Sequence, residues 1–145
     1  MASPALPRTF RPRWGRWVPY AVALVLLAAA VLLALLVTSF APADRILTVL
    51  LVLALVWVLH RLADVRVVAR EEGLEVVNVL GRRRLAWAEV LSLHLHPGEP
   101  WLVLDLSDGT SLSAMGVQGS EGDYAQRQGR EIATLVLRYS TPDAP

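Results

Sequence analysis

Between Val18 and Phe40 the chain reads VPYAVALVLLAAAVLLALLVTSF, without a single charged residue. At about 1.5 Å per residue, a helix of that length crosses a hydrocarbon core of about 30 Å. A second apolar run, ILTVLLVLALVWVLHRL from Ile46 to Leu62, follows after a short connector. Its uncharged part is shorter than the usual span of about 20 residues, and Ala43 with snorkelling Arg45 and Arg61 extends it. A buried hairpin of a soluble protein would need polar structure to cover both runs, and a chain of 145 residues has too little. Ala41-Pro42-Ala43 imitates a signal-peptide cleavage site. The apolar region before it, however, exceeds the usual length of about 7–15 residues, and Pro42 is awkward for cleavage. The sequence therefore predicts a hairpin of two transmembrane helices, at about 18–40 and 44–62.

Arginine in the short flanks sets the orientation of such a hairpin, and acids count for little. Arg8, Arg11, Arg13 and Arg16 precede the first run, and Arg61, Arg66 and Arg70 end or follow the second. The connector from Ala41 to Arg45 holds Arg45 alone. Both termini are thus expected in the cytoplasm, in a multi-pass protein of the cell membrane. Trp14, Trp17 and Tyr20 at one end of the first run, and Trp57 in the second, then form an aromatic belt at one leaflet as interface anchors. His60 beside Trp57 reads as an interfacial polar residue of the same belt.

The 54% hydrophobic content is explained by these runs, because everything after Asp64 has ordinary globular composition. Every basic residue is Arg, a usage that hints at a GC-rich bacterial genome. The absence of Cys removes disulfides, thiolate metal sites and cysteine nucleophiles together. From Asp64 onward acids outnumber bases, which excludes nucleic-acid binding through a basic patch. The organisation expected is an Arg-rich cytoplasmic segment (1–17), the hairpin (18–62), a β-rich domain (63–139) and a tail (140–145).

Beyond Asp64 short alternating runs are broken by turn residues, a β pattern. Strands are expected at about Val65–Arg70, Leu74–Val79, Arg82–Trp87, Val90–His96, Trp101–Leu106 and Thr110–Met115. Glu72-Gly73, Leu80-Gly81, Pro97-Gly98 and Asp108-Gly109 supply the turns, Asp108-Gly109 being the strongest hairpin signal. Ser120, with Asp123 three residues on, resembles a helix N-cap. A final helix from about Glu121 to Arg138 places Tyr124, Ile132, Leu135, Val136 and Tyr139 at helical spacing, a face able to close over a bent sheet.

The run from Gly73 to Val90 with its Trp87-Ala88-Glu89-Val90 element, Pro97-Gly98-Glu99-Pro100-Trp101, and Asp108-Gly109-Thr110 resemble the bacterial PH-like domain of the actinobacterial "low molecular weight protein antigen 6" family. Its members commonly carry two membrane helices ahead of a PH domain. The resemblance covers roughly Val65 to Leu137. It implies an α+β domain, a curved antiparallel sheet of six to seven strands closed by a C-terminal helix, and it implies no established activity. Six strands are read where the standard PH fold has seven, so one is either hidden or missing.

Catalysis is weighed by arrangement. His94 and His96, two apart on a strand, point to one face and could form half of a metal site, with a third ligand from Asp105 or Glu99. Their alternation with Leu91, Leu93 and Leu95 is also that of any half-buried strand, and the solvated face is the preferred reading. Gly116, Gly119 and Gly122 lack a phosphate-loop pattern and read as a loop leading into the helix. Arg82, Arg83 and Arg84 are the one dense basic cluster of the domain, with Arg82 and Arg84 expected on one face and Arg83 on the other. They would meet anionic headgroups or a partner, or simply blunt a sheet edge. No cofactor, metal centre or catalytic group is therefore expected. The reading is a non-catalytic membrane module that docks a protein partner or a second copy, with anionic-lipid binding through Arg82–Arg84 as the alternative and a metal sensor using His94 and His96 behind both.

Overall fold

In the computed structural model, residues 5–141 are described. They fall into two compact units, one made of residues 14–64 and the other joining the segment before residue 14 to everything after residue 64.

The first unit is a pair of helices, α1 (Trp17–Leu36) and α2 (Pro42–Ala63). Proline at the start of α2 needs no intrahelical donor, and Asp44 in its first turn suits the positive end of the helix dipole. The α1 helix stops at Leu36, short of Phe40, and α2 begins at Pro42, earlier than the expected 44. Both are long and apolar enough to cross a membrane, and their leucines and valines are mostly exposed. The buried hairpin of a soluble core would show the reverse. Tyr20 Oη and His60 Nδ1, 3.0 Å apart, join the two helices. Trp14, Trp17 and Trp57 are exposed.

The second unit contains seven strands and a helix: β1 (Arg8–Phe10), β2 (Arg66–Ala69), β3 (Gly73–Asn78), β4 (Gly81–Ala86), β5 (Val90–His94), β6 (Trp101–Leu106), β7 (Ser111–Gln118) and α3 (Asp123–Ser140). The six strands expected from the alternation are all present. The seventh is β1, and it lies ahead of the helical pair, inside what reads as an Arg-rich cytoplasmic segment. It pairs antiparallel with β2, Arg8 opposite Ala69 and Phe10 opposite Val67. Phe10 enters the core at 2% exposure.

In place of one curved sheet there are two, ordered β1-β2-β3-β4 and β5-β6-β7. The break falls at a single 3-10 turn over Trp87–Glu89. There the Glu89 carboxylate accepts from the Ala86 N–H at 2.6 Å, and the buried Trp87 indole donates to the Glu71 carbonyl at 3.1 Å. The end of β4 and the β2–β3 turn are thereby each fixed by a side-chain hydrogen bond. Leu102, Leu104 and Leu106 of β6 alternate inward and pack with Leu74, Val76 and Leu85 of the first sheet.

Gly116 shows how closely the sheets approach. A Cβ there would lie 2.6 Å from the Arg66 backbone, so β7 can cross β2 only with glycine at this position. Gly119 is likewise pressed on the Glu99 carbonyl, where a Cβ would come to 2.2 Å. These two glycines are close-approach positions, which is more than the plain loop expected of them.

The amphipathic α3 closes the domain with Ala125, Ile132, Leu135 and Val136 buried. Tyr139 stacks on Trp87 with centroids 5.3 Å apart, and the Tyr124 hydroxyl donates to the Arg11 carbonyl at 3.1 Å. The expected Ser120 cap is not made. Residues 119–121 form a short 3-10 turn, and Gly122 precedes α3 without a side-chain cap.

Candidate functional site

Arg82 and Arg84 lie on one face of β4, as the alternation requires, and both turn to Glu75 on the neighbouring strand. Glu75 occupies β3, whose two faces are covered, and its side chain is only 3% exposed. Arg84 stands directly opposite it in the ladder at 3.9 Å, while Arg82 reaches it at 3.0 Å from the diagonal position. Arg70 donates through Nε at 3.0 Å. Burial acts to raise the Glu75 pKa, but the Arg70 hydrogen bond and the charges of Arg82, Arg70 and Arg84 outweigh it and hold the carboxyl below its ordinary value. Arg83 leans the other way, toward Asp108 at 3.7 Å. Asp108 is itself held below the usual carboxylate range, first by hydrogen bonds from Thr110.

The basic cluster is therefore largely committed to acids within its own domain. Arg82 and Arg84 neutralise a buried carboxylate, a structural duty that alternation alone does not reveal. The turn beside them, between β3 and β4, carries Leu80 at 96% exposure.

A second polar cluster forms at the end of β5. Pro97 and Gly98 take the centre of a tight turn closed by the Glu99 N–H donating to the His96 carbonyl at 3.0 Å. Gly98 has φ 92°, the value required at the third position of a type II turn, and proline suits the second. This turn folds Glu99 back onto the histidines. Its Oε2 accepts from the His96 N–H at 2.7 Å and lies 3.2 Å from His94 Nδ1. The two Nδ1 atoms are 3.1 Å apart. The other nitrogen of His94 faces Asp105 Oδ2 at 3.6 Å. Asp105 is anchored by the Ser92 and Ser111 hydroxyls at 2.8 and 2.9 Å. Those two hydrogen bonds lower its pKa, while the His96 N–H is the main cause lowering that of Glu99.

Alternation places His94 and His96 on a solvated face and leaves Asp105 and Glu99 as the two candidates for a third group. The structure brings them together with Glu99, and the signal was the run His94-Leu95-His96-Pro97-Gly98-Glu99, in which a type II turn returns the last residue to the third. Of the expected anchors, Tyr20 pairs with His60 within the helical unit.

A β domain of two antiparallel sheets capped at one end by a C-terminal helix, with seven strands in all, defines a PH-like module. Residues 64–134 match the bacterial PH domain family. The chain is also similar to uncharacterized proteins of Mycobacterium bovis and Mycobacterium tuberculosis, at 30% identity over 135 residues covering 89% of this chain and 88% of each relative. The chain belongs to the bacterial PH-domain family. No solved structure matches it.

Proposed function

We propose that this protein is a non-catalytic PH-like interaction module, anchored by two transmembrane helices at the cytoplasmic face of the cell membrane, whose partner is a protein in the same membrane. The pairing of β1 with β2 carries this reading. Those strands flank the apolar helices in the chain and lie in one sheet, so they share one side of any bilayer the helices span. The exposed apolar surface of α1 and α2 supports the span, and the arginine bias of the flanks supports the cytoplasmic side. A domain fastened at both ends of its anchor gains little from lipid affinity for recruitment, whereas tethering raises its effective concentration for a membrane neighbour. The sequence contains no nucleophile–base pattern or phosphate loop that would favour an enzyme.

Leu80, projecting beside Arg83, favours a second reading in which that turn dips into an anionic leaflet. Replacing all three arginines is a poor test, because Glu75 would lose its partners. The better comparison is the full chain against Leu80→Ser/Arg83→Ser, each purified in mild detergent after crosslinking in native membranes. A stoichiometric protein partner retained by both supports the interaction reading. Anionic phospholipid that co-purifies with the wild type and is lost from the variant, with no protein partner in either, replaces it with the lipid reading.

A further inference from the structure

His94, His96 and Glu99 form a compact polar cluster at the end of β5. Three potential ligand atoms converge on one point: His94 Nδ1, His96 Nδ1 and Glu99 Oε2. Their separations are 3.1, 3.2 and 3.5 Å. A proton on one Nδ1 can bridge the two rings, and it then leaves only one such proton for three acceptor positions. A cation at the centre satisfies both lone pairs and the carboxylate at once.

We propose that these three residues bind one Zn2+ ion per chain, a site independent of the interaction reading above. Zinc is held by nitrogen at about 2.0–2.1 Å and by carboxylate oxygen at about 2.0–2.2 Å, which places the ligand atoms of a tetrahedral shell about 3.3–3.4 Å apart. The observed triangle matches one face of that shell to within about 0.3 Å. Two imidazoles and a carboxylate are a donor set suited to a borderline divalent ion, and too rich in nitrogen for magnesium or calcium. The residues around the triangle fit the same purpose. Asp105 faces the outer nitrogen of His94, as carboxylates behind zinc-bound histidines do, and the Ser92 and Ser111 hydroxyls hold Asp105 in turn. Glu99 is fixed by the His96 N–H, so its carboxylate is oriented before any ion arrives. Gly119, pressed on the Glu99 carbonyl, and the Gly119 N–H donating to the Pro100 carbonyl at 2.9 Å brace the turn from behind. Among the described residues three protein ligands are supplied, so the fourth position is left to water or to a ligand from another molecule.

The test uses tag-free, full-length protein in detergent, titrated with Co2+ as a spectroscopic substitute and with Zn2+ by calorimetry. The expected result is one equivalent of Co2+ giving the intense visible bands of a tetrahedral site, displaced by one equivalent of Zn2+. His96, with a side chain 66% exposed, can be replaced without disturbing the core. His96→Ala is expected to weaken Zn2+ binding about 100-fold or more, and Asp105→Asn about 10-fold. Glu99→Gln keeps an acceptor for the His96 N–H, so the turn survives while affinity falls. His60→Ala, removing the one histidine outside the cluster, is expected to change nothing. Lack of tetrahedral bands at one equivalent overturns the proposal, as does wild-type affinity in His96→Ala or Glu99→Gln, or loss of the site in His60→Ala.

Discussion

Thr9 and Val68 stand directly opposite each other across the β1–β2 ladder, although the whole apolar hairpin lies between them in the chain. The PH-like domain is consequently not a C-terminal appendage that begins after the second helix. Its core includes Phe10, and a fragment starting at Asp64 would leave that slot empty. Phe10→Ala in the full chain is expected to destabilise the domain by about 3–5 kcal/mol, the usual range for truncating a buried phenylalanine. Denaturant unfolding followed by Trp87 fluorescence in detergent checks it, and a loss well under 1 kcal/mol would show β1 to be dispensable.

The same pairing fixes a topological expectation. Reporters placed before Arg8 and after the C-terminal helix should give the same compartment, and a reporter inserted between Leu36 and Pro42 the opposite one. Opposite signals from the two ends would mean that one apolar helix does not cross.

Glu75 links stability to pH. Its folded pKa lies below the ordinary value of 4.5, so the native state holds the ionised form more firmly than the unfolded chain does. The associated stabilisation is complete above that ordinary value and is lost as pH falls through the lower folded one. Glu75→Gln is therefore expected to lower stability at neutral pH by about 1–3 kcal/mol, toward the smaller figure because the three arginine side chains are 49%, 51% and 76% exposed. It should also flatten the decline below the ordinary value of 4.5. Parallel melting curves from neutral to acid pH measure this, and an unchanged acid limb in the variant would show that other carboxylates carry it.

Gly116→Ala is expected to be far more damaging than Gly98→Ala in space-filling terms. The added methyl at Gly116 meets the Arg66 and Val67 backbone, whereas nothing lies near a Cβ at Gly98. At Gly98 the penalty is conformational, from φ 92°, and stays about 1–2 kcal/mol. A thermal shift several degrees larger for Gly116→Ala is the expected outcome. Equal shifts would indicate that the two sheets separate more easily than their contact implies.

Six strands and the closing helix were legible because alternation and turn dipeptides coincide along residues 66–118. Nothing comparable marks Arg8-Thr9-Phe10. Three residues cannot display a period, Pro7 and Pro12 flank them, and their pairing partner lies beyond the helices. The division into two sheets was equally hidden, since it falls at the short 3-10 turn over Trp87–Glu89, whose side-chain hydrogen bonds to the backbone no periodicity announces. For the Arg82–Arg84 cluster the faces could be assigned from alternation, while their destination could not. The destination of Arg82 and Arg84 is Glu75, a buried carboxylate that they cover together with Arg70. For the histidine cluster the ligands and the turn are each visible in the sequence, His94 and His96 with Glu99 or Asp105, and only the folding of the turn onto the strand selects Glu99.

The place of β1 has a consequence for biogenesis. Arg8–Phe10 leaves the ribosome before either helix, yet its partner β2 is synthesised after both, so the first strand must wait, unpaired, until both helices have been made. Loop closure over so long an intervening segment is entropically unfavourable for a flexible chain. On the proposed topology two helices joined near one end by Tyr20 and His60 offset part of it, because a hairpin that crosses twice returns the chain to the side from which it started. Sheet completion thus becomes a molecular receipt for correct insertion: a chain whose second helix failed to cross would leave β1 and β2 in different compartments, with the Phe10 slot open to quality control.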